Sequence, residues 1–158
     1  MAEVSRDGIR PAIVFIGFMA AGKTAAARAA AGRLGTVAED ADELIERELG
    51  EPIAGFFERE GEEEFRKRER DVVLRLLETA RRDPAPVVIA LGGGAVEDVK
   101  IREALASHIA VWCRVDEETA WERASRDDSR PLASDRDAFS RRFAQRAPLY
   151  ESVARAIL

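Results

Sequence analysis

The sequence predicts an α/β fold, a doubly wound parallel sheet with helices on both faces, and three observations carry that prediction. Short apolar runs rich in β-branched residues alternate with longer segments of helix formers. The first run, AIVFIGF, passes straight into the glycine-bearing stretch GFMAAGKT, residues 17–24, and then into an alanine-rich segment. The third run, PVVIAL, also ends on glycines, Gly92 to Gly94. Runs this continuous fit strands buried on both faces, and strand–helix–strand alternation fits parallel pairing through crossovers.

In chain order, AIVFIGF is bounded by Pro11 and reads as the first strand. GKTAAARAAAGRLG reads as a helix closed by Gly35, and TVAED as a short second strand. ADELIERELG starts a helix after Asp40 and stops at Gly50. EPIAGFFEREG gives a turn and a short helix. EEEFRKRERDVVLRLLETARR gives a long helix with the apolar stripe Phe65, Val72, Val73, Leu76 and Leu77. APVVIALGGG is the third strand, EDVKIREALAS a helix, HIAVWCRV the fourth strand and EETAWERAS a helix. RDDSRPLASDR is a polar loop, and DAFSRRFAQRAPLYESVA is mostly helix, with Pro148 expected to disturb it after Arg146.

Composition narrows the function. The 158 residues suit one domain with a real core, and 46% hydrophobic with 35% charged residues is ordinary for a globular protein. A net charge of −5 leaves no electrostatic footprint for nucleic acid. The single cysteine, Cys113, excludes an internal disulfide and suits a reducing cytoplasm. No apolar run approaches the ~20 residues of a membrane span. Arg6 and Arg10 ahead of the first apolar run imitate a secretory signal, but such a signal does not continue into a lysine and threonine in register and a regular αβ alternation. The expectation is a cytoplasmic monomer acting on small molecules.

GFMAAGKT has the spacing G-x-x-x-x-G-K-T between a strand and a helix, the context of a phosphate-binding loop. Its glycines let backbone N–H groups turn inward as an anion nest, and the following helix adds its positive end. Lys23 would reach the β- and γ-phosphates of a nucleotide, and the Thr24 hydroxyl would hold Mg²⁺. Asp40 and Asp42, in DAD, fall at the carboxyl end of the second strand, where open α/β sheets collect ligands. Alternation along an extended segment would give them different duties, one toward a metal and one toward an acceptor hydroxyl; simple helix capping by Asp40 is the alternative. Gly92 to Gly94 either expose N–H groups to a ligand or make a plain turn. Arg66 lies on a helix laced with i,i+4 pairs, most of which is a solvated face. Arg130 lies in a loop with little apolar anchoring, about residues 126–137, a candidate lid. His108, Cys113, Trp112 and Trp121 read as structural or packing groups. Phe56 and Phe57 read as core, unless one of them floors a ligand ring.

Taken together and in order, GFMAAGKT, DADELIE, GEEEFRKRE, VIALGGG, RPLA and RAPLY resemble the shikimate kinases over nearly the whole chain. The resemblance implies a P-loop kinase that moves the γ-phosphoryl group of ATP to the 3-hydroxyl of shikimate. It implies nucleotide contacts from Gly17, Ala20, Ala21, Gly22, Lys23, Thr24 and Ala25, with Arg123 near the adenine and Arg130 reaching the phosphates from the lid. Thr24 and, through water, Asp40 would support Mg²⁺. Asp42, Arg66, Gly92, Gly93, Gly94 and Arg146 would bind shikimate, with Glu69 orienting Arg66. Lys23, Asp42 and Arg130 would carry the chemistry, Asp42 at the attacking hydroxyl. Arginine forks suit the shikimate carboxylate. Four departures stand out: Ala20 where the family usually has glycine, Ala41 between the aspartates, Ala133 in RPLA, and a chain that stops at VARAIL, where the family continues through a last strand and a closing helix. The rivals are another small-molecule P-loop kinase, acting on gluconate or a nucleotide, and a non-catalytic binding domain that kept the fold.

Overall fold

A computed structural model describes residues 8–127 and 135–158. Its five strands, β1 (Ile13–Ile16), β2 (Ala38–Asp40), β3 (Val88–Ala90), β4 (Ile109–Trp112) and β5 (Ala156–Ile157), form one sheet in the order β2-β3-β1-β4-β5. Every pairing is parallel. The helices are α1 (Lys23–Leu34), α2 (Ala41–Leu49), α3 (Ile53–Glu60), α4 (Glu62–Arg82), α5 (Val99–Leu105), α6 (Glu117–Ser125) and α7 (Arg136–Val153), with a 3₁₀ turn at Ala95–Glu97.

The central strand shows why its sequence is apolar without interruption. Val14 and Ile16 face one core layer while Phe15 faces the other, packed with Ala27 and Ala31 of α1. Those two alanines are four apart on one helical face, and their small side chains let α1 lie close to the sheet. A third cluster, Ile45, Phe56, Phe65 and Val72, ties α2, α3 and α4 together beside the sheet. The chain runs from β1 outward to β2, returns to β3, and only then crosses β1 to β4. Strand order therefore reverses at β1, which opens a crevice at the carboxyl ends of β1 and β3.

Two local expectations need correcting. Pro148 lies inside α7, which runs unbroken from Arg136 to Val153, because Phe139, Arg146 and Tyr150 are buried on both sides of it and hold the neighbouring turns. The segment after the third strand is not one helix: Ala95–Glu97 forms a separate 3₁₀ turn, and Asp98 then caps α5 by accepting from the Lys100 and Ile101 N–H groups. His108 precedes β4 and is structural: its Nδ1 accepts a 3.1 Å hydrogen bond from the Ala12 N–H, and burial, with Arg81 nearby, pulls its pKa down to about 4. Trp121 packs edge-on to Phe139 at 5.1 Å, and Trp112 lies 6.0 Å from Tyr150.

Candidate active site

The stretch from Gly17 to Thr24 leaves the sheet at the end of β1 and enters α1. Gly17 has φ of 150°, and a Cβ there would lie 2.5 Å from the Cys113 carbonyl oxygen, so the position admits only glycine. Gly22 is the left-handed N-cap of α1, and the first turn of that helix carries no acidic residue, so nothing in it offsets the positive end of the dipole. Ala20 is the one described non-glycine residue at positive φ, 61°. For an alanine this left-handed geometry costs about 1–2 kcal/mol. Its carbonyl oxygen accepts from Arg123 Nη1 of α6 at 3.1 Å, which puts Arg123 against the loop. Lys23 Nζ donates to the Phe18 carbonyl at 2.8 Å, and Ala21 and Ala25 flank the start of α1.

Asp40 caps α2 with one carboxylate oxygen and turns the other to Thr24. Oδ1 caps α2 by accepting from the Asp42 and Glu43 N–H groups at 3.0 and 3.3 Å. Oδ2 accepts from the Thr24 hydroxyl at 2.9 Å. The alternation argument for Asp42 fails, because the extended segment ends at Asp40 and Asp42 already lies in the first turn of α2. A helical turn, not a pleat, is what separates the two carboxylates.

Asp42 lines a cavity of about 520 Å³ beside the loop, together with Arg66 of α4, Arg146 of α7 and Gly92 to Gly94. Met19, Glu46, Ile53 and Phe57 complete much of its wall. The two phenylalanines divide as the alternatives allowed: Phe56 is buried in the helical cluster and Phe57 faces the cavity. The three glycines do something the sequence did not suggest, since they make room for the protein's own side chains. A Cβ on Gly92 would sit 2.7 Å from Asp42 Oδ1, and one on Gly94 would fall within the Arg66 guanidinium. Gly93 backs onto the phosphate-loop stretch, where a Cβ would come 3.4 Å from the Gly17 carbonyl oxygen.

Glu69 orients Arg66 as expected: its Oε1 accepts from Arg66 Nη1 at 2.6 Å, and the residue is only 3% exposed. Arg146 is 2% exposed and stacks its guanidinium 5.7 Å from the centre of the Phe18 ring. Burial raises the Asp42 carboxyl above the usual range, reinforced by Asp40 and opposed by Lys23. Burial likewise raises Glu69 although Arg66 pulls the other way. For Arg66 burial works against the charge, and the Glu69 carboxylate more than offsets it, so the guanidinium stays protonated.

Sequence reasoning missed two neighbours. Tyr150, four residues beyond Arg146 on the same face of α7, donates from its hydroxyl to the Gly93 carbonyl at 2.6 Å; the i,i+4 spacing in RAPLY was the available signal. Glu97, in the 3₁₀ turn, reaches Arg146 at 3.2 Å, and nothing in its local sequence marks it. Arg130 and most of the lid loop lie outside the described residues; Asp127, just before them, lines the cavity.

Comparison with known proteins gives one answer. The family model for shikimate kinase matches residues 19–158. A shikimate kinase of Thermobifida fusca is 40% identical over 147 residues, which span 92% of this chain and 83% of that protein. One of Mesorhizobium japonicum is 39% identical over 153 residues, 94% of this chain and 72% of that protein. The structure of the Acinetobacter baumannii shikimate kinase in complex with shikimate superposes with a TM-score of 0.85 at 36% identity, covering 94% of this chain and 82% of the other. The Aquifex aeolicus shikimate kinase structure gives 0.79 at 28% identity, covering 92% and 84%.

Proposed function

This chain belongs to the shikimate kinase family, and from that premise we propose how its residues divide the work. The protein is an ATP-dependent kinase that moves the γ-phosphoryl group of ATP to the 3-hydroxyl of shikimate, giving shikimate 3-phosphate and ADP for aromatic amino-acid biosynthesis. The observation that carries the assignment of residues is one cavity, about 520 Å³, in which Asp42 and the paired Arg66 and Arg146 adjoin the phosphate loop.

In this scheme the N–H groups around Gly17, Ala20, Ala21 and Gly22 and the start of α1 at Lys23, Thr24 and Ala25 cradle the phosphates of ATP. Lys23 neutralises charge on the transferring group, Arg130 adds to it from the lid, and Arg123 stands by the base. Arg66 and Arg146 take the shikimate carboxylate, since planar guanidiniums match carboxylate geometry. Gly92, Gly93 and Gly94 bring backbone against the ring, and Glu69 keeps Arg66 aimed. The 3-oxygen forms its bond to the γ-phosphorus as the bond from that phosphorus to the β–γ bridging oxygen breaks, with that electron pair leaving on ADP. The hydroxyl proton passes to Asp42 Oδ1 or Oδ2. A carboxylate raised by burial is a stronger proton acceptor than an ordinary one.

Thr24 and Asp40 suit Mg²⁺. A hydroxyl and a carboxylate oxygen in contact at 2.9 Å are hard oxygen donors, and this ion takes few protein ligands beside phosphate and water. Among the described residues no cluster of three or more His, Cys, Asp or Glu is placed to hold a metal. When bound, the ion would supply charge neutralisation at the β- and γ-phosphates. No described helix is long and apolar enough to cross a membrane. The reading is completed by a monomer in the cytoplasm, where the free, buried Cys113 meets no oxidant.

The deciding experiment is ADP release from this chain with ATP and Mg²⁺, with and without shikimate, and with gluconate in its place. Shikimate alone should stimulate release. Stimulation by gluconate, or by neither compound, would overturn the scheme.

A further inference from the structure

Glu97 has no part in the chemistry above, yet it stands where the acceptor's carboxylate is to be held. Its Oε2 lies 3.2 Å from Arg146 Nη2 and 3.9 Å from Arg66 Nη2, so one oxygen faces both guanidiniums. The turn that carries it is fixed. Arg102 Nη1 donates to the Val96 and Glu97 carbonyls at 2.6 and 2.9 Å. On the far side, Glu69 holds Arg66 Nη1 at 2.6 Å. Glu62 adds a more exposed third carboxylate, 3.6 Å from Arg66 Nη2. The two arginines therefore already meet three carboxylates before any ligand carboxylate is counted.

A carboxylate between two guanidiniums can act in opposite ways. It can hold the arginines in place, so that losing it weakens binding, or it can compete with an incoming carboxylate, so that losing it strengthens binding. Confinement of the arginines decides between them. The Arg146 side chain is 3% exposed, lies on an unbroken helix and is stacked on Phe18, and Arg66 keeps Glu69 as a partner. Neither arginine depends on Glu97 for its position. The Glu97 side chain is 34% exposed and so keeps water as an alternative partner when a ligand displaces it from Arg146.

We propose that Glu97 is a resident carboxylate that competes with the acceptor's carboxylate for Arg146 and Arg66, and that it sets the affinity for shikimate below what the two arginines alone would give. This rests on the assignment of those arginines to the shikimate carboxylate. Removing the charge at position 97 takes away the carboxylate paired with Arg146 and one of those facing Arg66, a change that favours an incoming anion.

The test is calorimetric titration of shikimate into the wild type, Glu97→Gln, Glu97→Ala and Arg146→Ala, with thermal melting as the check on folding. Glu97→Gln should bind shikimate about two- to fivefold more tightly, the span expected for a partly screened charge pair. Glu97→Ala should shift the same way, and the gain should appear in KM for shikimate and not in KM for ATP. A merely structural residue would not give tighter binding when cut back. Unchanged or weaker shikimate binding in both Glu97 variants, with Arg146→Ala also weakened, would overturn the proposal and make Glu97 a brace. Unweakened binding in Arg146→Ala would instead remove the underlying assignment of the arginines.

Discussion

Between Gly17 and Thr24 the site is one continuous stretch whose working surface is mostly backbone, finished by a single lysine and a hydroxyl. Around Arg66 and Arg146 it is made of charged side chains delivered by α2, α4 and α7, with a strip of glycines between them. The first half depends on dihedral angles: left-handed Gly22, and Ala20 forced to φ of 61°. The second is a matter of opposed charges, with Glu69 beside Arg66 and Glu97 beside Arg146. The halves meet where Gly93 backs onto Gly17 and Arg146 stacks on Phe18. In the proposed scheme backbone binds any phosphate chain of the right length, whereas opposed charges choose one small acid. The difference is one between a general grip and a selective one.

Four measurements would break or sharpen that contrast. Lys23→Ala should show the largest effect, at least ~10³-fold in kcat, because in the proposed scheme it removes a charge from the transferring group. Its melting temperature should stay close to wild type, and wild-type turnover in a folded variant would remove the loop from the mechanism. Asp42→Asn should lower kcat by ~10²–10⁴-fold, the range for losing a positioned proton acceptor. The same residue fixes the acid side of the pH profile. A base must be deprotonated, and burial raises the Asp42 pKa, so activity should fall with decreasing pH at a point above the ordinary carboxylate value of ~4. An acid limb at or below that value would take Asp42 out of proton transfer.

Arg66→Ala and Arg146→Ala should each weaken shikimate binding by ~2–5 kcal/mol and nucleotide binding far less, as read by calorimetry. Equal losses for both ligands would erase the division between halves. The smallest effect belongs to Ala20→Gly. Relief of left-handed strain, about 1–2 kcal/mol, is partly offset by the greater freedom glycine gives the unfolded chain, about 0.4–1 kcal/mol. A net gain of ~0–1.6 kcal/mol in unfolding free energy is expected from urea titration, and a loss would mean that the methyl group contributes packing.

The same contrast explains what could be read in the sequence. The phosphate loop lies within eight consecutive residues with a strand before and a helix after, so spacing alone exposed it. The alternation of elements gave the sheet, because continuous apolar runs have few other homes in a soluble chain. The acceptor half spans Asp42 to Arg146, and only a family resemblance grouped those residues. Glu97 escaped because its partners lie 31 residues before it and 49 after, a relation no local pattern encodes. Asp42 was correctly placed beside the site for a wrong reason, since the helix begins two residues earlier than a pleat argument requires.

Asp40 gives one oxygen to the cap of α2 and the other to Thr24. For anyone engineering this protein, the proposed Mg²⁺ role of Asp40 makes stability and turnover inseparable variables at that position. A cap of this kind is worth about 0.5–2 kcal/mol, so a library selected only for resistance to heat will retain the aspartate. Under the proposed scheme a library selected only for phosphorylation retains it too, for the oxygen on the other side. Asn keeps an acceptor for the cap only by turning its NH2 group toward Thr24, and so uncouples the duties in one direction only. Tolerance at residue 40 is consequently a poor report on either property by itself, and a paired readout of melting and turnover in Asp40→Asn is what separates them.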